Sequence, residues 1–411
     1  MKPLILRPRI PALAACAICL ASVAAAEDRL SFAVGGSSSP FLGQREALGF
    51  AENVAATAGW DHRTDRFGFG LHLGAEDDGE GLRLDGTYAE TYAGNWAFGI
   101  GAVDRHWSPS RFSSLILSGN ARPFPSIYAE KREFTAFETP WLAWIGPWKA
   151  EVFLGQSDSE GNPDKTKLFG MRVQLQPLDG FEIDLVRTAQ WGGDGLPENS
   201  DSFLDMLLGK SNEGPNAEAN QLAGLGLSWQ LPEAWAPVRL YAQAVGEDEA
   251  GGLPSCFMYL AGVEGKAQVF GTPTTVTLEG ATTEISESGS GYCGPGTAYN
   301  NAFYPGGYTN HGDSMGLAID TDSKMVQLIV EHELPQFDLH YSVAWHEINT
   351  ADNPAHRLTS EATDGAVIRV GASRSYDQYR VAGEVWYQTY DLDKADLDKG
   401  PGIGLTVSRS F

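Results

Sequence analysis

The sequence predicts an all-β fold: a transmembrane antiparallel β-barrel of about 18 strands with long extracellular loops and one short loop helix. Three observations carry that prediction. The last segment alternates, with Ile403, Leu405, Val407 and Phe411 on one parity and Gly402, Gly404, Thr406, Ser408 and Ser410 on the other. A period of two gives a strand one apolar face. The chain opens with an export signal. Beyond that signal no apolar run approaches the ~18 residues of a helical span. The remaining spanning solution is a closed barrel, which pairs every backbone group without water.

The signal is read from order. Lys2, Arg7 and Arg9 form a basic leader, Ile10 to Val23 an apolar run, and Ala24, Ala25 and Ala26 a small-residue cut. Leu13-Ala14-Ala15-Cys16 resembles a lipoprotein box, but the apolar stretch between Arg9 and that cut is too short for a signal core. Cleavage after Ala26 removes three basic residues and leaves 26 basic against 53 acidic, a balance of −27. Such a chain is repelled by nucleic acid. The acidity fits soluble loops and a polar lumen, and no regular Ca²⁺ loop or other metal spacing accompanies it. Cys16 and Cys19 leave with the signal, so Cys256 and Cys293 remain as an isolated pair. In an oxidising compartment such a pair is expected to form a disulfide rather than a metal site. No cofactor is expected.

Residues 27–53 are expected to be a short periplasmic N-terminal segment, and 54–411 the outer-membrane barrel. The strands expected in order are 54–60, 65–74, 81–92, 95–104, 112–119, 134–145, 147–156, 167–176 and 181–190. They continue as 221–230, 238–246, 258–264, 267–281, 325–333, 337–347, 365–374, 378–391 and 401–411. Phe67, Phe69, Leu71 and Leu73 alternate with Gly68, Gly70, His72 and Gly74; Phe337, Leu339, Tyr341, Val343 and Trp345 alternate with polar residues. The closing strand, ending on a free aromatic carboxylate, resembles that of bacterial outer-membrane barrels. Arg409 departs from its apolar pattern, and its long side chain is able to reach headgroup water. With both termini periplasmic, the short turns 177–180, 334–336 and 375–377 fall on one side. The long connections 191–220, 282–324 and 348–364 fall on the outer side. The composition agrees, since 48 Gly and 44 aromatics (19 Phe, 14 Tyr, 11 Trp) suit tight turns and interfacial girdles.

One segment reads as helix. Ser200-Asp201-Ser202 precedes Phe203, Leu204, Leu207 and Leu208, and Gly209 is a stop. Its apolar stripe is expected to pack a folded loop into the barrel mouth.

Several strings together resemble the Wzi family of capsule-assembly outer-membrane proteins. They begin with Arg105-His106-Trp107-Ser108-Pro109-Ser110 and the run from Ser114 to Pro125. Next come Arg187 with Gln190-Trp191-Gly192-Gly193-Asp194-Gly195, Asn220-Gln221, and Tyr241 with Gly246-Glu247-Asp248. Gly307-Tyr308-Thr309-Asn310-His311-Gly312, leading to Asp320-Thr321-Asp322-Ser323, completes the set. The resemblance implies an 18-stranded barrel closed by outer loops and by a helical plug at the periplasmic end. It also implies a lectin that holds capsular or extracellular polysaccharide at the cell surface, beside outer-membrane lipids and lipopolysaccharide. Residues 27–53 leave too little chain for a separate helical plug.

Sugar binding needs aromatic faces for C–H patches and planar polar groups for hydroxyls. The 297–313 stretch has both, with Tyr304, Tyr308, Asn310, His311 and Asp313 as candidate contacts, although Tyr and Asn also stabilise long loops. Trp191 with Asp194 is a second candidate pair, where Trp191 alternatively serves as an interfacial girdle residue. Arg122 is a candidate partner for an acidic sugar, or for another loop. His340 and His346 share a strand face with Asp338 and are expected to line the lumen. No nucleophile motif accompanies the histidines, so no enzyme is expected. The rival reading is a porin-like channel or polysaccharide export conduit, which would keep its lumen open.

Overall fold

In the computed structural model the alternating segments join into one antiparallel sheet of 18 strands. The structure describes residues 27–77, 81–158, 161–210, 218–247, 249–250, 253–288 and 292–411; the expected signal lies outside them. The first nine strands are β1 (Glu27–Ser37), β2 (Val54–Arg63), β3 (Phe67–Glu76), β4 (Tyr88–Ala93), β5 (Trp96–Gly101), β6 (Ser126–Lys131), β7 (Trp148–Gln156), β8 (Lys167–Leu178) and β9 (Phe181–Trp191). The rest are β10 (Asn220–Gln230), β11 (Val238–Glu247), β12 (Phe257–Val269), β13 (Thr272–Thr282), β14 (Lys324–Glu333), β15 (Asp338–Ile348), β16 (Thr363–Tyr376), β17 (Tyr379–Gln388) and β18 (Gly400–Ser410). Each pairs with its chain neighbours, and β18 closes on β1 with Val34 opposite Val407. Closure leaves no open edge, which a wall in hydrocarbon requires.

The period-two pattern sets the two faces. Leu30, Phe32 and Val34, Val326 and Leu328, Val343 and Trp345, and Ile403 and Leu405 are exposed on the outward face. The intervening positions look into the lumen, among them His340 and His346, as expected.

The count of 18 stands, but two of its members change. Residues 112–119 are not a strand. They belong to the 102–125 connection, which folds into the lumen and buries Leu115, Ile116 and Leu117. Three consecutive apolar residues cannot alternate faces, so the segment packs as luminal core instead. Residues 134–145 are not a strand either; Pro140–Ile145 is a 3-10 helix opened by proline, which has no N–H for a ladder. Their places are taken by β1 and β6. The expected boundary at 54 is therefore corrected: 27–37 is barrel wall, and only 38–53 lies between strands. The expected direction of every strand holds from 147 onward. Between 54 and 104 each expected strand runs the opposite way, because β1 shifts the alternation by one.

Long connections gather at one end and short turns at the other, with 132–147 the one long connection at the short-turn end. The core lies inside the barrel. Trp107, Leu115, Ile116 and Leu117 pack with Tyr299, Tyr308, Met315, Leu317 and Ile319 of the 283–323 connection. Both groups meet inward wall residues such as Phe153, Val186, Tyr241 and Met258. Hydrogen bonds tie the two connections together: Ser118 N donates to Met315 O at 2.9 Å, and Tyr299 Oη to Leu115 O at 2.8 Å. These two connections thus fill much of the lumen that a porin would keep open.

The expected loop helix is present as α2 (Ser200–Leu207; α1 is Gln44–Leu48). Its N-cap is Asn199, just before the Ser200-Asp201-Ser202 group. Asn199 Oδ1 accepts Asp201 N and Ser202 N, while Asn199 N donates back to Ser202 Oγ at 3.0 Å, a capping box. α2 does not enter the barrel mouth. Phe203, Met206 and Leu207 pack on Phe169, Ala189 and Trp191, which share the outward parity of Leu185. Arg187, on that same outward face, donates to the carbonyls of Met206 and Leu207 at 2.6 and 2.8 Å, a cation where the helix ends.

Candidate functional site

A cavity of about 440 Å³ opens among the long connections. One wall is the 38–53 connection. Gly43 and Gly49, both left-handed, bracket α1 and fold the segment back over the lumen. Phe41 anchors it against Trp386, ring centroids 4.8 Å apart, and Leu42 N donates to Gln388 Oε1 at 3.1 Å. Its far end hangs on Glu76, whose Oε2 accepts Ala51 N and Glu52 N at 3.1 and 3.0 Å. Glu76 Oε1 is held in turn by Arg83 at 2.6 Å.

The facing wall is a hairpin, Thr309-Asn310 paired with Asp313-Ser314. Its two turn residues, His311 and Gly312, both have positive φ (52° and 78°), as a two-residue I′-type turn demands. Asn310 fixes the hairpin, accepting Asp158 N at 3.0 Å and donating to Arg122 O at 2.9 Å. His311 and Asp313 are thereby placed at the cavity.

The lining is rich in polar groups without partners. Gln44 Nε2 donates to Ala51 O and Glu52 O, but its Oε1 is buried and has no partner. Asn53 Oδ1 and Ser314 Oγ, also from lining residues, are equally bare. Buried acceptors in that state cost free energy unless a ligand or water meets them. Asp313 is half-buried; the loss of water pushes its carboxyl up to about 7, with Arg45 pulling the other way. Arg45 is itself 3.7 Å from Asp85. Acceptors and a donor cation around a part-dried hollow suit a hydroxyl-rich ligand.

A second cavity, about 490 Å³, lies deeper in the lumen. Phe41, Leu42, Gly43 and Ala318 line both cavities and stand between them. Glu46 faces the deeper one, and removal from bulk water pushes its carboxyl up to about 7.

Of the eight residues nominated from sequence, two meet at the outer cavity and six do not. Tyr304 and Tyr308 are fully buried. Tyr304 Oη donates to Glu218 O at 3.1 Å and Tyr308 Oη to Thr188 Oγ1 at 2.9 Å, while Tyr308 stacks on Tyr299. Asn310 is spent on the hairpin. Arg122 pairs with Asp85, Asp194 with Lys165 at 3.0 Å, and Trp191 packs 5.2 Å from Phe203. The structure does not bring those six to this cavity: Tyr304 and Tyr308 are enclosed, and the others are engaged with neighbouring residues. Gln44, Arg45 and Asn53 are not among the residues the sequence points to, because it places all of 27–53 on the periplasmic side. The signal was the polar stretch between two alternating runs. Cys256 and Cys293 are joined as a disulfide, Cα atoms 5.3 Å apart.

The family model for capsule assembly protein Wzi matches residues 26–355. An uncharacterised 55.8 kDa protein in the cps region of Klebsiella pneumoniae is 36% identical over 190 residues, 46% of this chain and 38% of that protein. The aligned region thus spans well under half the length of that relative. A solved structure of Escherichia coli Wzi, an outer-membrane protein involved in group 1 capsule assembly and a carbohydrate-binding β-barrel, shares the fold. Its TM-score is 0.79 at 24% identity, over 93% of this chain and 84% of that one.

Proposed function

The chain belongs to the Wzi family of capsule assembly proteins, and on that premise we propose that it binds extracellular polysaccharide and helps assemble or attach it at the cell surface. It does so as a barrel in the outer membrane of a Gram-negative cell, surrounded by lipid and lipopolysaccharide, with the long connections facing outward. The observation that carries the reading is the outer cavity, where Gln44 Oε1, Asn53 Oδ1 and Ser314 Oγ lack partners beside Asp313. The polymer is held without turnover. The connections that fill much of the lumen support retention over conduction.

The test is binding of the producing cell's own polysaccharide to purified protein. Asp313→Ala and Gln44→Ala should each weaken binding about five- to tenfold while heat-modifiable gel mobility stays normal. A doubly substituted protein that folds and binds undiminished would remove this cavity from consideration. Steady single-channel conductance with no polysaccharide binding would replace the lectin reading by a channel.

A further inference from the structure

Lys131 ends β6 on the outward face of the wall, opposite Trp96 on β5. That face also carries the exposed Phe98 and Ile127, so a lysine there would meet lipid. It does not. Lys131 is 4% exposed. Its ammonium donates to Glu133 O at 3.0 Å, Thr135 Oγ1 at 2.7 Å and Trp148 O at 2.5 Å, and lies 4.4 Å from the Trp148 ring centre. The 132–147 connection therefore folds outward over the wall rather than hanging below it. Phe137 confirms the direction by stacking on Trp148 at 4.9 Å, and Trp148 meets the outward Trp96 at 6.2 Å.

The connection then forms the 3-10 helix Pro140–Ile145. With three residues per turn, i and i+3 eclipse, so Trp141 and Trp144 stand on one face. Both are 73% exposed. Gly146 ends the turn at φ 74°, where a Cβ would collide with the Gln176 carbonyl, so the segment lies close against β8.

We propose that residues 135–145 form an interfacial foot whose paired Trp141 and Trp144 seat in the phospholipid headgroup–acyl boundary of the leaflet at the short-turn end. The partner is lipid because the segment continues the lipid-facing wall, covers that wall's lysine, and presents two indoles, which favour this boundary. The peptide groups of so short a helix also need the water and headgroups found there.

With Cys256 and Cys293 bridged, Ala143→Cys in refolded protein lacking residues 1–26 gives one labelling site between the two tryptophans. A nitrobenzoxadiazole probe there is read in phosphatidylethanolamine–phosphatidylglycerol vesicles, with Asp179→Cys in the β8–β9 turn as the reference at the same end. A lipid nitroxide near the headgroup should quench the Ala143 probe strongly. Iodide should quench it about threefold less than the Asp179 probe. Equal iodide quenching at both sites would overturn the foot, because the segment would then point into water. Protection from iodide and nitroxide together would overturn it as well, since protein rather than lipid would cover the indoles.

Discussion

Arg122 holds Asp85 through two parallel hydrogen bonds, Nε to Oδ2 at 3.0 Å and Nη2 to Oδ1 at 3.2 Å. The pair fastens the 102–125 connection to the 77–87 connection, and Asp85 also approaches Arg45 beside the outer cavity. Arg122→Ala is expected to cost about 1–3 kcal/mol, read as a lower urea midpoint. Arg122→Lys should recover only part of that, because the planar fork is lost. If the Arg122→Ala and Asp85→Ala losses simply add in the double variant, the pairing contributes nothing.

Tyr308 separates folding from binding. Tyr308→Phe leaves the ring stacked on Tyr299 and removes only the bond to Thr188, an expected loss of about 0.5–1.5 kcal/mol. Polysaccharide affinity should not change. Tyr308→Ala opens a luminal void and should cost about 3–5 kcal/mol. A Tyr308→Phe protein of near-normal stability that loses binding would put the hydroxyl in the site.

Asp313 gives a pH signature. Its carboxyl rises from 3.8 to about 7 on folding, chiefly through loss of water. Between those values the folded chain keeps a proton that the unfolded chain has released, so stability falls as pH rises through the window and levels off above 7. Glu46 adds a slope of the same sign. Asp313→Asn should flatten the profile of unfolding midpoint against pH without abolishing it. Wild-type and Asp313→Asn curves that run parallel would show that the side chain does not titrate in this way.

The Cys256–Cys293 bridge links the short connection before β12 to the large 283–323 connection. Closing that loop should stabilise the fold by about 2–4 kcal/mol. Unfolded, unreduced mature protein should show no free thiol. The Cys256→Ser plus Cys293→Ser protein should be cut more readily by protease within 283–323, whereas two thiol equivalents in the wild type would mean no bridge forms.

Most of the wall was legible because lipid on one side and packed loops on the other impose a strict period of two. Leu30, Phe32 and Val34 carry that signal as clearly as any strand; β1 escaped notice because it adjoins the expected cleavage point. β6 is obscured by Lys131, whose charge breaks the apolar face and is answered only by the fold of the 132–147 connection over it. The site was less legible. Tyr304, Tyr308 and Asn310 have the chemistry of sugar contacts, but chemistry alone does not tell an inward ring from an outward one. His311 and Asp313 reach the cavity through a turn whose geometry depends on Gly312. Their facing wall came from a segment whose side of the membrane depended on the parity of a strand not counted.

The seam between β1 and β18 bears on how the barrel is made. Val34 and Val407 pair from opposite ends of the chain, whereas the other strand pairs are neighbours in sequence. Hairpins can zip as they emerge, but this last ladder must await the whole polypeptide and bear the largest loop-closure entropy. Until then β1 and β18 are two unpaired edges, the species most prone to aggregate. Closure of this seam is thus the pairing with the greatest loop-closure cost in the wall, and the one that removes its last two open edges.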